Sequence, residues 1–451
     1  MTISGAIAVN RFGLGAKRGE IADASADPVA WLKAQIDPNQ TRPQLDDPDL
    51  VTSHGILSEL DLIRKSVRAM SEDERRATRK SARARVNRIL RTEIEARTKF
   101  GITTTAPFHE RLTRFWANHF TVSARDRDIV PIAGAFEREA IRPYILGSFT
   151  ELAFAAIGHQ AMLTYLDNTR SIGPNSARGR RGNAGLNENL AREVLELHTV
   201  SPASGYTQDD IVEFAKALTG WTIGMERHGP DFHGRTIFID RLHEPGTRTV
   251  LGKSYPQRGA DQASVILEDL CAHPVTARHV CQKLAAHFVS DTPPEALVER
   301  LTQAFVDTNG DLRAVYSVLI DSPEAWDVEP MKVKTPDELL TSTARLIGLN
   351  RTFVGKVRDV FASFAQQTYQ ASSPEGWPDD SASWLGPDSV LKRVEWANRL
   401  AERAPGLDAR QFLRASLGER LTDRTLQFVS GAESGEQAMV LALMSPDFQR
   451  R

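Results

Sequence analysis

The sequence predicts a mostly α-helical protein, a large irregular helical domain with one small β-hairpin. Three observations predict it. Apolar residues recur at helical spacing along most of the chain. Strand-like alternation is confined to residues 235–242 (RTIFIDRL) and 248–253 (RTVLGK), with Pro245-Gly246 as the turn between them. A 41% hydrophobic content over 451 residues supplies a large core, and two cysteines leave no disulfide framework to replace it.

The elements follow in order. Asp27 is placed as the N-cap of a helix through Pro28, Trp31, Leu32 and Ile36. Residues 39–49 are a Pro/Asp-rich connection. Residues 71–99 form a long polar helix with ten Lys or Arg against five Asp or Glu, its acidic residues early, where the helix dipole favours them. Residues 109–120 are amphipathic, with Leu112, Phe115, Trp116 and His119 on one face. An apolar helix spans 149–166, and a Gly/Arg-rich loop spans 171–186. Helices 187–199 and 207–218 come next, the second opened by a Thr207/Asp210 capping box. After the hairpin, helices return over 263–270, 275–289, 295–306, 311–320 and 337–347, and a Pro/Gly/Ser-rich loop over 372–387 carries Trp377 and Trp384. No linker separates domains clearly, so 1–451 reads as one domain. A finer division runs 1–104 with the Arg-rich arm, 105–260 with the candidate site, and 261–451.

A net charge of −2 argues against a general nucleic-acid binder. No apolar run is long enough to span a membrane; the best, 152–166, is broken by Gly158, His159 and Gln160. No apolar block follows Arg11, Lys17 and Arg18, so no signal peptide is expected and a cytoplasmic location is the default.

Polar information is densest between His119 and Lys253. On helix 187–199, Asn189, Glu193 and Glu196 share a side with Arg192, and His198 falls on the apolar arc with Ala191 and Leu195. Two carboxylates a turn apart suit a divalent cation or a shared proton. Asp167-Asn168 and Asp209, Asp210 and Glu213 add carboxylates at neighbouring helix ends, and His243-Glu244 sits at the hairpin turn. Cys271, His273, His279 and Cys281 lie within eleven residues but match no zinc-finger spacing, so the two cysteines are expected to be buried. Phosphate-loop, dinucleotide, Gly-x-Ser-x-Gly and His-Glu-x-x-His motifs are missing.

Several segments together carry a resemblance: VNRFGLG at 9–15, FWANHF at 115–120, YLDN at 165–168, NENLAREVLELHT at 187–199, GYTQDD at 205–210, ALTGW at 217–221, HEPG at 243–246 and GWP at 376–378. The sequence resembles the bacterial family known as domain of unknown function 1800, over nearly its whole length. The resemblance carries no established activity. It implies that His119, Asp167, Asn168, Asn187, Glu188, Asn189, Arg192, Glu193, Glu196, His198, Glu213, Trp221 and His243 belong to the family pattern. It also implies a companion of the alkaline phosphatase and sulfatase type, with which this chain would be exported to the periplasm. Glu244 stands where Asp is commoner in the family, and Val194 where Leu is.

Two functions are expected. One is an enzyme, a divalent-metal hydrolase, with Glu193, Glu213, His243 and His119 catalytic. Asp167, Asn168, Asn187, Glu188, Asn189, Arg192 and Trp221 would bind, and Glu193, Glu196 and His198 would hold the metal. The alternative is a non-catalytic partner whose arm 75–99 docks the phosphatase-like companion. A weaker third reading, a carbohydrate or peptide binder, rests on Trp116, Trp221, Trp377 and Trp384.

Overall fold

A computed structural model describes residues 2–40, 43–182, 185–329, 332–348 and 364–451. Parts of the predicted 39–49 connection and 171–186 loop (41–42 and 183–184) lie outside the described residues. The protein is mostly helical, as its periodicity requires.

Local rules set the helix ends. Asp27 caps Pro28–Ala34 by accepting from the Ala30 N–H at 2.9 Å. Thr207 and Asp210 form the expected capping box on Gln208–Leu218. Gly158 divides the predicted 149–166 helix into Phe149–Ile157 and Gln160–Tyr165, and the His159 ring caps the second piece. The predicted 187–199 helix is α-helical only over Asn189–Glu193 and then widens to a π-turn, Val194–His198.

The single predicted hairpin is corrected to two small antiparallel pairs. Trp221–Ile223 pairs with Thr236–Phe238, and Arg248–Val250 pairs with Lys253–Tyr255. The physical reason lies in the turns. Leu251 and Gly252 take φ of 47° and 75°, which gives the second pair its own two-residue turn. Pro245-Gly246 is held instead by the Arg248 guanidinium, which donates to both carbonyls.

Two hydrophobic cores are present among the described residues. The larger runs from Ala6 to Ala325 and the smaller from Leu339 to Phe448. Helix Pro336–Ile347 belongs to both sides. Leu339, Leu340 and Leu346 enter the smaller core, whereas Asp337, Glu338 and Arg345 meet groups anchored in the larger one. Arg345 donates to Gly15 O at 2.7 Å and to Glu20 at 2.8 Å. The seam between the cores is therefore ionic. Buried charges need paired partners, and the seam supplies them.

Candidate functional site

The elements named from sequence do pack together. Asn168 donates to Leu218 O at 3.2 Å and to Trp221 O at 3.0 Å, tying the end of one helix to the next helix and its strand. Their polar side chains are nonetheless occupied one by one. Glu213 takes Lys216 at 2.5 Å and Arg248 at 3.2 Å. The buried His243 ring donates from Nδ1 to Thr219 O at 2.9 Å. Glu244 pins the Asn175 backbone and side chain at 2.7 and 2.6 Å. Asp167 sits at φ 57° beside Arg170, Asn187 accepts from the Asn189 N–H, and Glu188 accepts from Arg192 and Gln208. Trp221 packs edge-on against Phe238. Burial and the neighbouring Glu196 raise the Glu193 carboxyl above its ordinary range.

The proposed metal set is corrected. Among the described residues no group of three or more His, Cys, Asp or Glu side chains is placed to hold a metal ion. Glu193 and Glu196 remain partly exposed, whereas His198 is sealed in the core with neither ring nitrogen hydrogen-bonded. Burial, reinforced by the charge of Lys283, takes the His198 imidazole down to about 3 and keeps it neutral.

A cavity of about 220 Å³ lies elsewhere, on the ionic seam. Helix Pro107–His119 supplies Asn118 and His119, and helix Pro274–Phe288 supplies Lys283 and His287. Asp337, Glu338, Tyr369, Trp377 and Asp379 close it. Of the four candidate catalytic residues only His119 lines it. Of the four tryptophans only Trp377 does; Trp116 is fully buried and donates to Tyr316 Oη at 2.6 Å.

Two family-pattern segments meet at its rim. Asn118 donates to Trp377 O at 2.9 Å and accepts from Trp377 N–H at 2.8 Å. This approach requires Gly376, which takes φ 92°; a Cβ there would stand 2.5 Å from Asn118 O.

The cavity's carboxylates are neutralised with care. Arg97 and Arg142 flank Glu137 at 2.7 and 3.0 Å, and Arg114 reaches Asp337 at 2.6 Å. Arg111 pairs with Glu338, which Arg451 also meets at 2.9 Å. Burial alone would raise the Glu338 carboxyl, but Arg111 and Arg451 overcome it and bring it down to about 2. His287 donates from Nδ1 to Asp379 at 2.9 Å, and its Nε2 accepts from Arg111 at 3.2 Å. That Asp–His pair resembles a general-base dyad, yet its basic nitrogen is already taken. Burial leaves His287 neutral, down at about 4. A Ser53–His159–Glu139 cluster fails in a similar way. His159 Nδ1 accepts from Ala161 N–H, so Nε2 carries the proton and cannot deprotonate Ser53.

Three groups on the cavity wall keep open valence. His119 donates from Nε2 to His198 O at 3.2 Å, which leaves Nδ1 as a lone pair without a partner. His279 treats Leu197 O in the same manner at 3.1 Å, so two imidazoles satisfy the last carbonyls of the π-turn. Tyr369 Oη is buried and unpartnered, on a backbone held at φ 61° where Ala124 N–H donates to its carbonyl at 2.7 Å. Lys283 is the third. Every other Arg, Lys, Asp or Glu on the wall has an ion pair; Lys283 has none among the described residues. Burial lowers its ammonium below the ordinary lysine range, against the raising effect of Glu375 and Asp379.

Sequence reasoning missed Lys283 and His287. The signal was available: His279, Lys283 and His287 recur every four residues, on one line of the helix. The zinc-type spacing drew attention instead to Cys281 on this helix and Cys271 on the preceding one, Ala260–Ala272, both of which are buried and free.

These features define a mostly helical protein with a charge-lined cavity between two hydrophobic cores. The chain belongs to the family described as protein of unknown function (DUF1800), which matches residues 7–450. No curated protein and no solved structure matches it. Among the described residues no helix is long and apolar enough to cross a membrane.

Proposed function

We propose that the chain is an enzyme whose reaction takes place in the cavity between helices Pro107–His119 and Pro274–Phe288, with Lys283 as the acting amine. The observation that carries this reading is a lysine without an ion pair, in a wall whose other full charges are all paired among the described residues. A part-buried lysine without a counter-ion is costly, and such groups cluster at sites that use them. His119 Nδ1 and Tyr369 Oη are buried on the same wall without hydrogen-bond partners, and burial with the charge of Lys283 holds the His119 imidazole well below its ordinary range. The volume limits the substrate to a small molecule. This reading keeps the enzyme inferred from sequence but moves its centre away from Glu193, Glu213 and His243. A metal-dependent hydrolase finds no grouped ligands to support it among the described residues.

Trace acylation of the folded protein with acetic anhydride tests it. Lys283 should acylate faster than the exposed Lys80 and Lys99. A Lys283 that stays unlabelled until the protein unfolds would refute the assignment.

A second reading has its own observation. Arg76, Arg79, Lys80, Arg83, Arg88 and Arg91 are exposed on helix Glu72–Thr103 and have no ion pair among the described residues. Such a stripe suits an acidic partner surface, the phosphatase-like companion being the first candidate. Co-purification of the two proteins, lost on reversing the charges of Arg76, Arg79 and Arg83, supports it; co-purification unaffected by the reversal removes the stripe from the contact.

A further inference from the structure

We infer that the loop over residues 224–235 and the helix beneath it seat on an anionic lipid surface, with Leu62, Met225 and Phe232 entering it and the surrounding arginines held at its phosphates. This patch is separate from the cavity, and the inference does not rest on the reading of Lys283.

The loop is pinned firmly to helix Ser53–Ser66. Ser58 Oγ donates to His233 O at 2.9 Å. The Asp61 carboxylate accepts from His233 Nε2 at 3.0 Å and from the Glu226 N–H at 3.4 Å, and Lys65 closes the same knot by pairing with Glu226. The backbone is pressed together at two glycines. A Cβ on Gly224 would stand 2.0 Å from Phe232 O, and one on Gly234 would stand 2.3 Å from His54 O. Leu62, Met225 and Phe232 are each the chain neighbour of a residue in this knot: Asp61, Glu226 and His233 in turn. They therefore share one small area of surface.

That area is apolar and open. Leu62, Met225 and Phe232 are 47, 44 and 53% exposed, on segments held too rigidly for them to turn inward. Cations stand around them. Arg64 and Arg68 on the helix side, and Arg227, Arg235 and Arg241 on the loop side, are exposed and have no ion pair among the described residues. Arg227 donates to His228 at 3.3 Å and Arg235 meets His54 at 3.4 Å, contacts that orient a guanidinium without cancelling its charge. Burial, and then the charges of Arg227 and Arg241, lower the His228 imidazole, as expected of a ring beside both. The carboxylates of these two segments that lack an ion pair are Asp231 and Asp240, so the free cations outnumber them.

A bilayer surface answers to both features. Apolar side chains reach the acyl boundary, while guanidinium groups on long stems stay at the level of the phosphates. A protein partner is served less well. Three half-exposed side chains offer far less than the about 800 Å² that each side buries in a stable protein interface.

Vesicle sedimentation tests the inference. The full-length protein is mixed with vesicles of phosphatidylglycerol and phosphatidylcholine in equal parts, and separately with vesicles of phosphatidylcholine alone. It should pellet with the first and stay in the supernatant with the second. Phe232→Ser combined with Met225→Ser should weaken binding to the anionic vesicles roughly 10-fold. Arg64→Glu combined with Arg241→Glu should weaken it roughly 10-fold or more. Both pairs change exposed side chains and should keep the native circular dichroism spectrum. Protein that stays in the supernatant with anionic vesicles would overturn the inference. So would binding that neither pair weakens, or binding that the charge reversals abolish and the serine pair leaves unchanged, which is adsorption by charge alone. A protein indifferent to vesicles that forms a dimer in sedimentation velocity, dissolved by Phe232→Ser, would assign the patch to a second copy of the chain instead.

Discussion

The two polar regions of this protein use the same residue types to different ends. Around residues 187–252, the buried His198 ring apart, most carboxylates and imidazoles find partners in the same packed group of elements. Glu213 has Lys216 and Arg248, Glu244 has Asn175, and His243 has Thr219 O. Around the cavity, partners come from opposite ends of the chain, as Arg111 with Glu338 and Glu20 with Arg345 do. Among the described residues of the cavity wall the pairing stops one residue short, at Lys283. A cluster of polar residues in sequence therefore identifies local structure in the first region. In the second, an incomplete charge balance in space marks the candidate site.

The contrast predicts unequal costs. Glu338→Gln leaves Arg111 and Arg451 buried without their carboxylate, and should cost about 3–5 kcal/mol in urea unfolding. A loss below about 1 kcal/mol would erase the distinction between the regions.

Acid should act early on one imidazole in each region. His287 and His198 stay neutral in the folded protein down to about 4 and about 3. Unfolded imidazoles take up protons as the pH falls through about 6.5, so the unfolded state binds more protons and gains stability. Stability should fall between pH 6.5 and 4, by about 2 kcal/mol for each histidine at pH 5. Urea midpoints at pH 7.5 and 5 check this, and a flat profile would contradict both assignments. The Glu338 share should then be lost at lower pH, as its carboxyl is protonated towards about 2.

Smaller effects belong to the other region and to the surface. Glu213→Gln removes a partly exposed carboxylate and should cost about 1 kcal/mol or less by the same unfolding assay. Arg76→Glu and Arg79→Glu change an exposed helix face with no ion pairs and should move stability by about 0.5 kcal/mol or less, read as a melting temperature. A large loss in either case would mean that these charges have structural partners after all.

How much could be read in advance follows from the range of each force. Asp27, Thr207 and Asp210 announce helix starts because a cap acts within three residues. The buried stripe Leu190, Ala191, Val194 and Leu195, with His198 on it, was visible because helical periodicity is local. The strands were legible as strands, but not their partners, because Leu251-Gly252 closes a turn that alternation alone does not signal. The candidate site was legible only at its rim, in Asn118-His119 and Gly376-Trp377, the segments that also carry the family pattern.

The sequence by itself determined a mostly helical chain, its principal helix starts and its family, because periodicity, capping and motif spacing act over a few residues at a time. Tertiary structure alone decided which strands pair, which charges are cancelled, and that Lys283 is left over on a cavity wall shared by Arg97, His119, Glu338 and Asp379. Those outcomes depend on burial and on distances between segments far apart in the chain, and a charge has no partner until the fold brings one within reach.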